Sequence, residues 1–145
     1  VNINLAISFL KEKNINLVKK SSFYETFSFP NKDDPKFINI VVSVETSLTP
    51  ENLMTTLISI EEKLERKRLK KNDPRTCDID IIDYNGKKLN NAFLISPHPK
   101  MHKRNFVLLP LFEISSNWVH PVKKIGINKL INSLNVEDLR SIKLI

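Results

Sequence analysis

Pro74-Arg75-Thr76-Cys77-Asp78-Ile79-Asp80-Ile81-Ile82 sets two carboxylates inside what otherwise reads as a short apolar strand. Side chains alternate across a strand and the backbone rises ~3.3 Å per residue, so Asp78 and Asp80 share a face with α-carbons roughly 7 Å apart. Cys77, Ile79 and Ile81 take the opposite face. Like charges at that spacing repel unless a cation lies between them, and magnesium, which takes one or two carboxylates plus phosphate oxygens, answers that description. A half-exposed strand with one wet face answers it as well.

Working outward from this stretch, Thr49-Pro50-Glu51 starts a helix: Thr49 can cap free backbone N–H groups, Pro50 suits the first helical position, and Glu51 favours the positive end of the dipole. Leu53, Leu57, Ile60 and Leu64 then form a helical stripe to about Arg68, ending in the basic run Arg66–Lys71. Upstream, Ile3, Ala6, Ile7 and Leu10 mark an opening helix, and Ile15 to Phe29 reads as a strand. Pro30–Pro35 is a loop. From Phe37 to Leu48 a strand alternates, with Ile38, Ile40, Val42 and Val44 on one face and Phe37, Asn39, Val41 and Ser43 on the other. Downstream, Tyr84-Asn85-Gly86-Lys87 predicts a hairpin turn with a short return strand at Lys88-Leu89. Ser96-Pro97-His98-Pro99 interrupts regular structure, and Asn105 to Ile114 is apolar, with Pro110 expected to start or kink any helix there. His120-Pro121 marks a loop and Ile125 to Leu134 a late helix. This order predicts an α+β domain in which helices cover one face of a mainly antiparallel sheet and leave the other face free for a ligand.

The 145 residues fit a single domain, 1–145, able to bury a core without disulfides or a structural metal. The lone Cys77 excludes an internal disulfide, so a reducing, cytoplasmic setting is expected, and no apolar run is long enough to span a bilayer. A net charge of +7 points to an anionic partner, nucleic acid or nucleotide. With Gly86 and Gly126 the only glycines, neither a Walker-type phosphate loop nor a dinucleotide-binding fingerprint can be written, so side chains must hold any phosphates. The candidates are Asp78 and Asp80, the cations Arg66, Arg68, Arg75 and Arg104, the imidazole of His98, and the rings of Phe29, Phe37 and Phe106. Carboxylate-held metal, guanidinium groups and stacking rings suit phosphoryl transfer between a nucleotide and a flat heterocycle. Core packing is the commoner fate of phenylalanine, and His98 and Arg104 read equally as an ordinary loop histidine and a surface cation. Asn39, an amide on an otherwise apolar strand, needs partners if buried, and a heterocycle edge can supply them.

Five segments in order resemble the 6-hydroxymethyl-7,8-dihydropterin pyrophosphokinases of folate biosynthesis: Ser21–Thr26, Phe37-Ile38-Asn39, Glu45–Pro50, Pro74–Asp80 and Pro97–Leu108. The resemblance implies a ferredoxin-like α+β sandwich and transfer of pyrophosphate from MgATP to the hydroxymethyl group of the dihydropterin, releasing AMP. It implies catalytic roles for Arg66, Arg75, Asp78 and Asp80, with Asp78 and Asp80 holding two Mg2+ ions. Glu61, Arg68, Ile81, His98 and Arg104 match positions at ATP; Thr26, Phe27, Phe29, Phe37, Asn39 and Phe106 match positions at the pterin, with Phe37 and Phe106 as the two rings that sandwich it.

The family opens with a strand ending in a Gly-Ser-Asn turn before its first helix, and that strand is expected upstream of Val1. A tryptophan often found before the Pro-Arg pair is replaced by Asn72-Asp73, and Pro99 stands where some members carry tyrosine. ATP and a dihydropterin are the expected partners of a monomer that contacts neither nucleic acid nor membrane and is open to fusion with other folate-pathway enzymes. The rival readings are an RNA-binding ferredoxin-like domain, disfavoured because neither glycine can build its aromatic signature, and a relative that keeps the fold without activity.

Overall fold

The structure, a computed structural model, describes residues 2–26, 37–66, 77–90 and 94–145, with the backbone alone at Asn2 and Arg66. Helix α1 (Asn2–Glu12) packs on α2 (Pro50–Arg66). The stripe expected on α2 is its buried face: Leu53, Leu57, Ile60 and Leu64 enter one cluster with Ala6, Phe9 and Leu10 of α1 and with Ile15, Ile81 and Leu94. The cap is as expected too, Asn52 N–H donating to Thr49 Oγ1 at 3.2 Å. On α1 the inward residues are Ala6, Phe9 and Leu10, so Phe9 takes the place expected of Ile7.

Both long strands divide. The expected strand from Ile15 to Phe29, whose residues 27–29 lie outside the described ones, shows β1 (Asn16–Lys20) and β2 (Tyr24–Thr26) in its described part, and Phe37 to Leu48 resolves into β3 (Phe37–Asn39) and β4 (Val42–Glu45). β1 pairs antiparallel with β4, and β2 with β3. Register slips by one residue between Leu17 and Lys19, and again between the Lys20·Val42 and Tyr24·Asn39 pairs, the extra residue lying each time on the first strand. Such bulges bend and twist a ribbon. At the second, buried Ser21 joins the two ladders: Val41 N–H donates to Ser21 Oγ at 3.0 Å and Ser21 N–H to the Val41 carbonyl at 3.0 Å.

Helices cover both faces of the strands, not the one face expected. Val44, Cys77 and Ile79 pack on the first cluster. Val41 and Ile82 pack on a second, built from Met101, Val107, Leu108, Leu111, Ile127 and Leu130. Val41 and Val44 point to opposite sides, as do Ile81 and Ile82, so each segment needs an apolar cover on both. The second cover is α3 (Asn105–Ile114) and α4 (Ile127–Asn132). α3 runs through Pro110, which lacks a donor for one helical bond but is fully buried. α4 is shorter than the Ile125–Leu134 expected, Gly126 standing at its N-cap.

The acidic stretch is not a strand. Residues 77–82 have no ladder partner among the described residues, yet exposure still alternates, with Asp78 and Asp80 outward and Ile81 buried. The backbone is held by other groups: Ile79 N–H donates to Glu61 Oε2 at 2.9 Å, and the Ile82 carbonyl accepts from His98 N–H at 2.8 Å. A strand is a property of paired backbones, and here side chain and loop supply the partners instead. The Asn85-Gly86 turn forms as expected, with φ of 54° and 67° and Lys87 N–H donating to the Tyr84 carbonyl at 3.0 Å. Its return strand β5 (Leu89–Asn90) pairs with β6 (Ile95–Ser96), not with the acidic stretch.

Two further elements follow α4 near the C-terminal end of the described residues. α5 (Val136–Arg140) is capped by Asn135, whose Oδ1 accepts from Asp138 N–H at 2.7 Å. β7 (Ile142–Leu144) pairs antiparallel with β2 on the edge away from β3. Among the described residues every ladder is antiparallel, giving the mixed α+β architecture expected. Among the described residues, no helix is long and apolar enough to cross a membrane.

Candidate active site

The acidic stretch, the His98 loop and the start of α3 meet around Asp80. His98 is anchored through its backbone to Ile82, and its Nδ1 accepts from Lys100 N–H at 3.2 Å. Nε2 is therefore the protonated nitrogen of the neutral ring. Burial holds this imidazole below its usual pKa; Asp80 pulls it back up, while Arg104 and Lys100 push it further down. One carboxylate and two cations thus act on the same ring.

On the inner side of the stretch, the Cys77 thiol is pushed up to about 11, first by burial and then by the charges of Asp78, Glu61 and Asp80. A thiol so raised stays protonated and inert at neutral pH. The same observation places three carboxylates near one sulfur. Glu61 receives the Ile79 N–H, so it braces the acidic stretch from α2 while Asp78 and Asp80 face outward. Among the described residues, no three His, Cys, Asp or Glu side chains form a self-contained metal cage. Two outward carboxylates without a full ligand set fit magnesium, which completes its octahedron with water and phosphate oxygens.

A second group of residues lies on the β2–β3 ladder. Thr26 pairs directly with Phe37, and Tyr24 with Asn39, so all four side chains share one face. The Phe37 ring is 63% exposed on that face, which removes core packing as its purpose. Asn39 and Thr26 are half-buried beside it. Facing this ladder is α3: Tyr24 Oη–H donates to Glu113 Oε1 at 2.7 Å, and Ser22 donates to Glu113 Oε2 from its N–H at 2.8 Å and its hydroxyl at 3.0 Å. These bonds hold the Glu113 carboxyl below its usual range, while burial and the Glu113 contact push Tyr24 up to about 12. Phe106 lies seven residues before Glu113 on α3, hence on the same helical face. It packs partly on the second cluster and carries the Arg104 guanidinium 5.4 Å over its ring.

The structure brings together Asp78, Asp80, Glu61, His98 and Arg104 as one group, and Thr26, Phe37 and Asn39 as another, with Arg104 and Phe106 adjacent at the start of α3. The Ile81 side chain belongs to the first cluster, so only its backbone is available to a ligand. Phe27, Phe29, Arg68 and Arg75 lie outside the described residues, as does the side chain of Arg66. Glu61, expected only at ATP, and Ser21 and Glu113 serve as supports for which the sequence carries no local signal. Glu113 and its partners are 89 to 91 residues apart, and no local periodicity marks such a pair.

The family model for 7,8-dihydro-6-hydroxymethylpterin-pyrophosphokinase matches residues 1–116. The chain is 41% identical over 121 residues to a 2-amino-4-hydroxy-6-hydroxymethyldihydropteridine pyrophosphokinase of Synechocystis sp., covering 83% of this chain and 62% of that protein. A protein of the same name from Haemophilus influenzae is 41% identical over 112 residues, covering 77% of this chain and 70% of that one. The folic acid synthesis protein fol1 of Pneumocystis carinii is 39% identical over 137 residues, 94% of this chain and 18% of its own length.

Proposed function

The chain belongs to the 7,8-dihydro-6-hydroxymethylpterin-pyrophosphokinase family, and from that premise we propose that it transfers the β,γ-pyrophosphoryl group of ATP to a hydroxymethyl dihydropterin, on a ferredoxin-like scaffold. The observation that carries this reading is the adjacency of Arg104 and Phe106: one end of α3 serves both the phosphate group around Asp80 and the ring group around Phe37. In the reaction the hydroxymethyl oxygen forms a bond to the β-phosphorus, the bond from that phosphorus to the oxygen bridging it to the α-phosphorus breaks, AMP leaves, and the hydroxyl proton is released.

Asp78 and Asp80 are the residues that would hold two magnesium ions. Such ions neutralise charge on the phosphate oxygens and align attacking and leaving oxygens. Arg104, with Arg66, Arg68 and Arg75, supplies planar guanidinium forks that suit bidentate binding of phosphate oxygens. His98, kept neutral, donates from Nε2 and adds no charge that would compete with metal. Glu61 keeps the acidic stretch in place through Ile79 and stands at a position that the family resemblance puts near ATP. Phe37 and Phe106 stack on the pterin faces, with Thr26, Asn39 and the neighbouring Phe27 and Phe29 around its edge. Catalysis is by orientation and charge neutralisation, so no covalent nucleophile is required.

A reducing, cytoplasmic setting accords with the single cysteine, and in this reading the domain acts as a monomer. The match to 18% of a longer folic acid synthesis protein supports the same domain working within a larger folate polypeptide. Incubating the chain with MgATP and the dihydropterin should yield AMP in step with pterin consumption; ADP, or no pterin-dependent turnover, would overturn the proposal. Asp80→Ala should remain folded, since Asp80 is exposed, and lose magnesium-dependent turnover. Near-native activity in that variant refutes the metal role.

A further inference from the structure

Between Arg104 and Phe106 sits Asn105, only 8% exposed. Its Nδ2 donates to the Asp138 carbonyl and, at 3.0 Å, to Ser141 Oγ. Ser141 Oγ–H in turn donates to the Asp138 carbonyl at 3.0 Å. A buried amide whose N–H groups are both engaged makes a specific junction, because losing it strands polar atoms away from water. Ser141 is followed at once by β7, in which Ile142 pairs with Thr26, Lys143 with Glu25 and Leu144 with Tyr24. Ile145 N–H extends the ladder to the Phe23 carbonyl at 3.0 Å. β7 thereby turns β2 from the edge of a short two-stranded ribbon, marginal by itself, into the centre of three strands.

A continuous path results: Phe106, Asn105, Ser141, Ile142, Thr26, Phe37. Every step is a peptide bond, a hydrogen bond or a strand pair, and its two ends are the rings proposed to enclose the pterin. The segment in the middle lies beyond residue 116, the end of the family match. We propose that Asn135–Ile145 is a strap that sets the spacing of the pterin site, with Asn105 as its anchor, an inference that rests on the function proposed above. Asn105 acts through the strap and not on the substrate. The acidic side of the phosphate-binding residues, around Asp80, is braced by Glu61 and Ile82, and only Arg104, next to Asn105, links those residues to the strap.

The test compares Asn105→Ala with Lys143→Pro in the full chain. Ladder donors alternate along an antiparallel strand, so Lys143, two residues before the Ile145 donor, is itself a donor to β2, and proline removes it. Each variant should raise KM for the dihydropterin about tenfold; KM for ATP should stay within about twofold in Lys143→Pro, and in Asn105→Ala, which borders Arg104, should rise less than KM for the dihydropterin, the pattern of an alignment lost chiefly on one substrate. The double variant should fall short of the product of the two effects, since both break one path. Leu57→Ala, in the first cluster, controls for general loosening: it should lower Tm without a pterin-selective change. If Asn105→Ala does not fold, Lys143→Pro decides alone. Equal shifts in both KM values, or an unchanged pterin KM in a folded variant, overturn the strap. No turnover in the unaltered chain overturns the function on which it rests.

Discussion

Phe37→Ala separates a ligand-stacking ring from a packing ring. Full burial of a phenylalanine is worth ~1.5–3 kcal/mol, and Phe37 leaves 63% of its surface in water, so truncation should cost the fold less than ~1 kcal/mol. Stacking of a flat heterocycle on an aromatic side chain is worth ~1–3 kcal/mol, which corresponds to a roughly 5- to 150-fold loss of dihydropterin affinity. The two quantities are read separately, stability from the urea midpoint and affinity by calorimetric titration with the dihydropterin in the presence of a non-hydrolysable ATP analogue and magnesium. Phe37→Trp should keep most of the affinity. Phe106→Ala should lose on both measurements, because that ring also packs on the second cluster. A Phe37→Ala protein that is less stable by more than ~2 kcal/mol yet binds pterin as before would refute the reasoning, since the ring would then be structural.

Ser21→Ala removes the hydroxyl that accepts the Val41 N–H at the junction of the two ladders, leaving a part-buried donor unpaired at a cost of ~1–3 kcal/mol; the urea midpoint should fall with the m-value unchanged, and a wild-type midpoint would show that water replaces the hydroxyl without loss. The pH dependence has a definite sign: His98, His102 and His120 are all held below 6.5, mainly by burial, so the unfolded chain binds protons more readily than the folded one. Their contribution is therefore complete above about pH 6.5 and is lost as the pH falls below it. His120 adds a mechanism, because its Nδ1 accepts N–H groups from Val122 at 3.2 Å and Lys123 at 3.0 Å and cannot do so once protonated. Denaturation midpoints that stay level from about pH 7 to about pH 5 would contradict this assignment.

Local pattern made much of the molecule legible. The α2 cap and stripe and the Asn85-Gly86 turn are set by neighbours a few residues apart, and they appear where their side chains put them. The alternation of Asp78 and Asp80 against Cys77, Ile79 and Ile81 survives even though no strand forms, because exposure follows side-chain chemistry whether or not a neighbouring backbone is paired. Strand continuity was less legible. A bulge depends on both partners at once, so the breaks at Val18 and at Ser21–Phe23 cannot be read from either strand alone. The covered second face is hard to read for a related reason: Val41 and Ile82 sit in alternating or apolar runs that carry no sign of which helices lie over them.

By itself the sequence determined the chemical inventory: two carboxylates two residues apart on one face, no glycine-rich phosphate loop, a phenylalanine at the start of a strand, and an ordered set of motifs shared with one family. Tertiary structure alone decided how those groups are held. Glu61 reaches Ile79 across 18 residues, Glu113 reaches Tyr24 across 89, and Asn105 reaches Ser141 across 36. Each is a hydrogen bond between groups with no local periodic relation, whose formation depends on the free energy of the whole packed chain. The reactive side chains are written in the sequence as residue types, whereas their spacing exists only once the two clusters have closed on the strands between them.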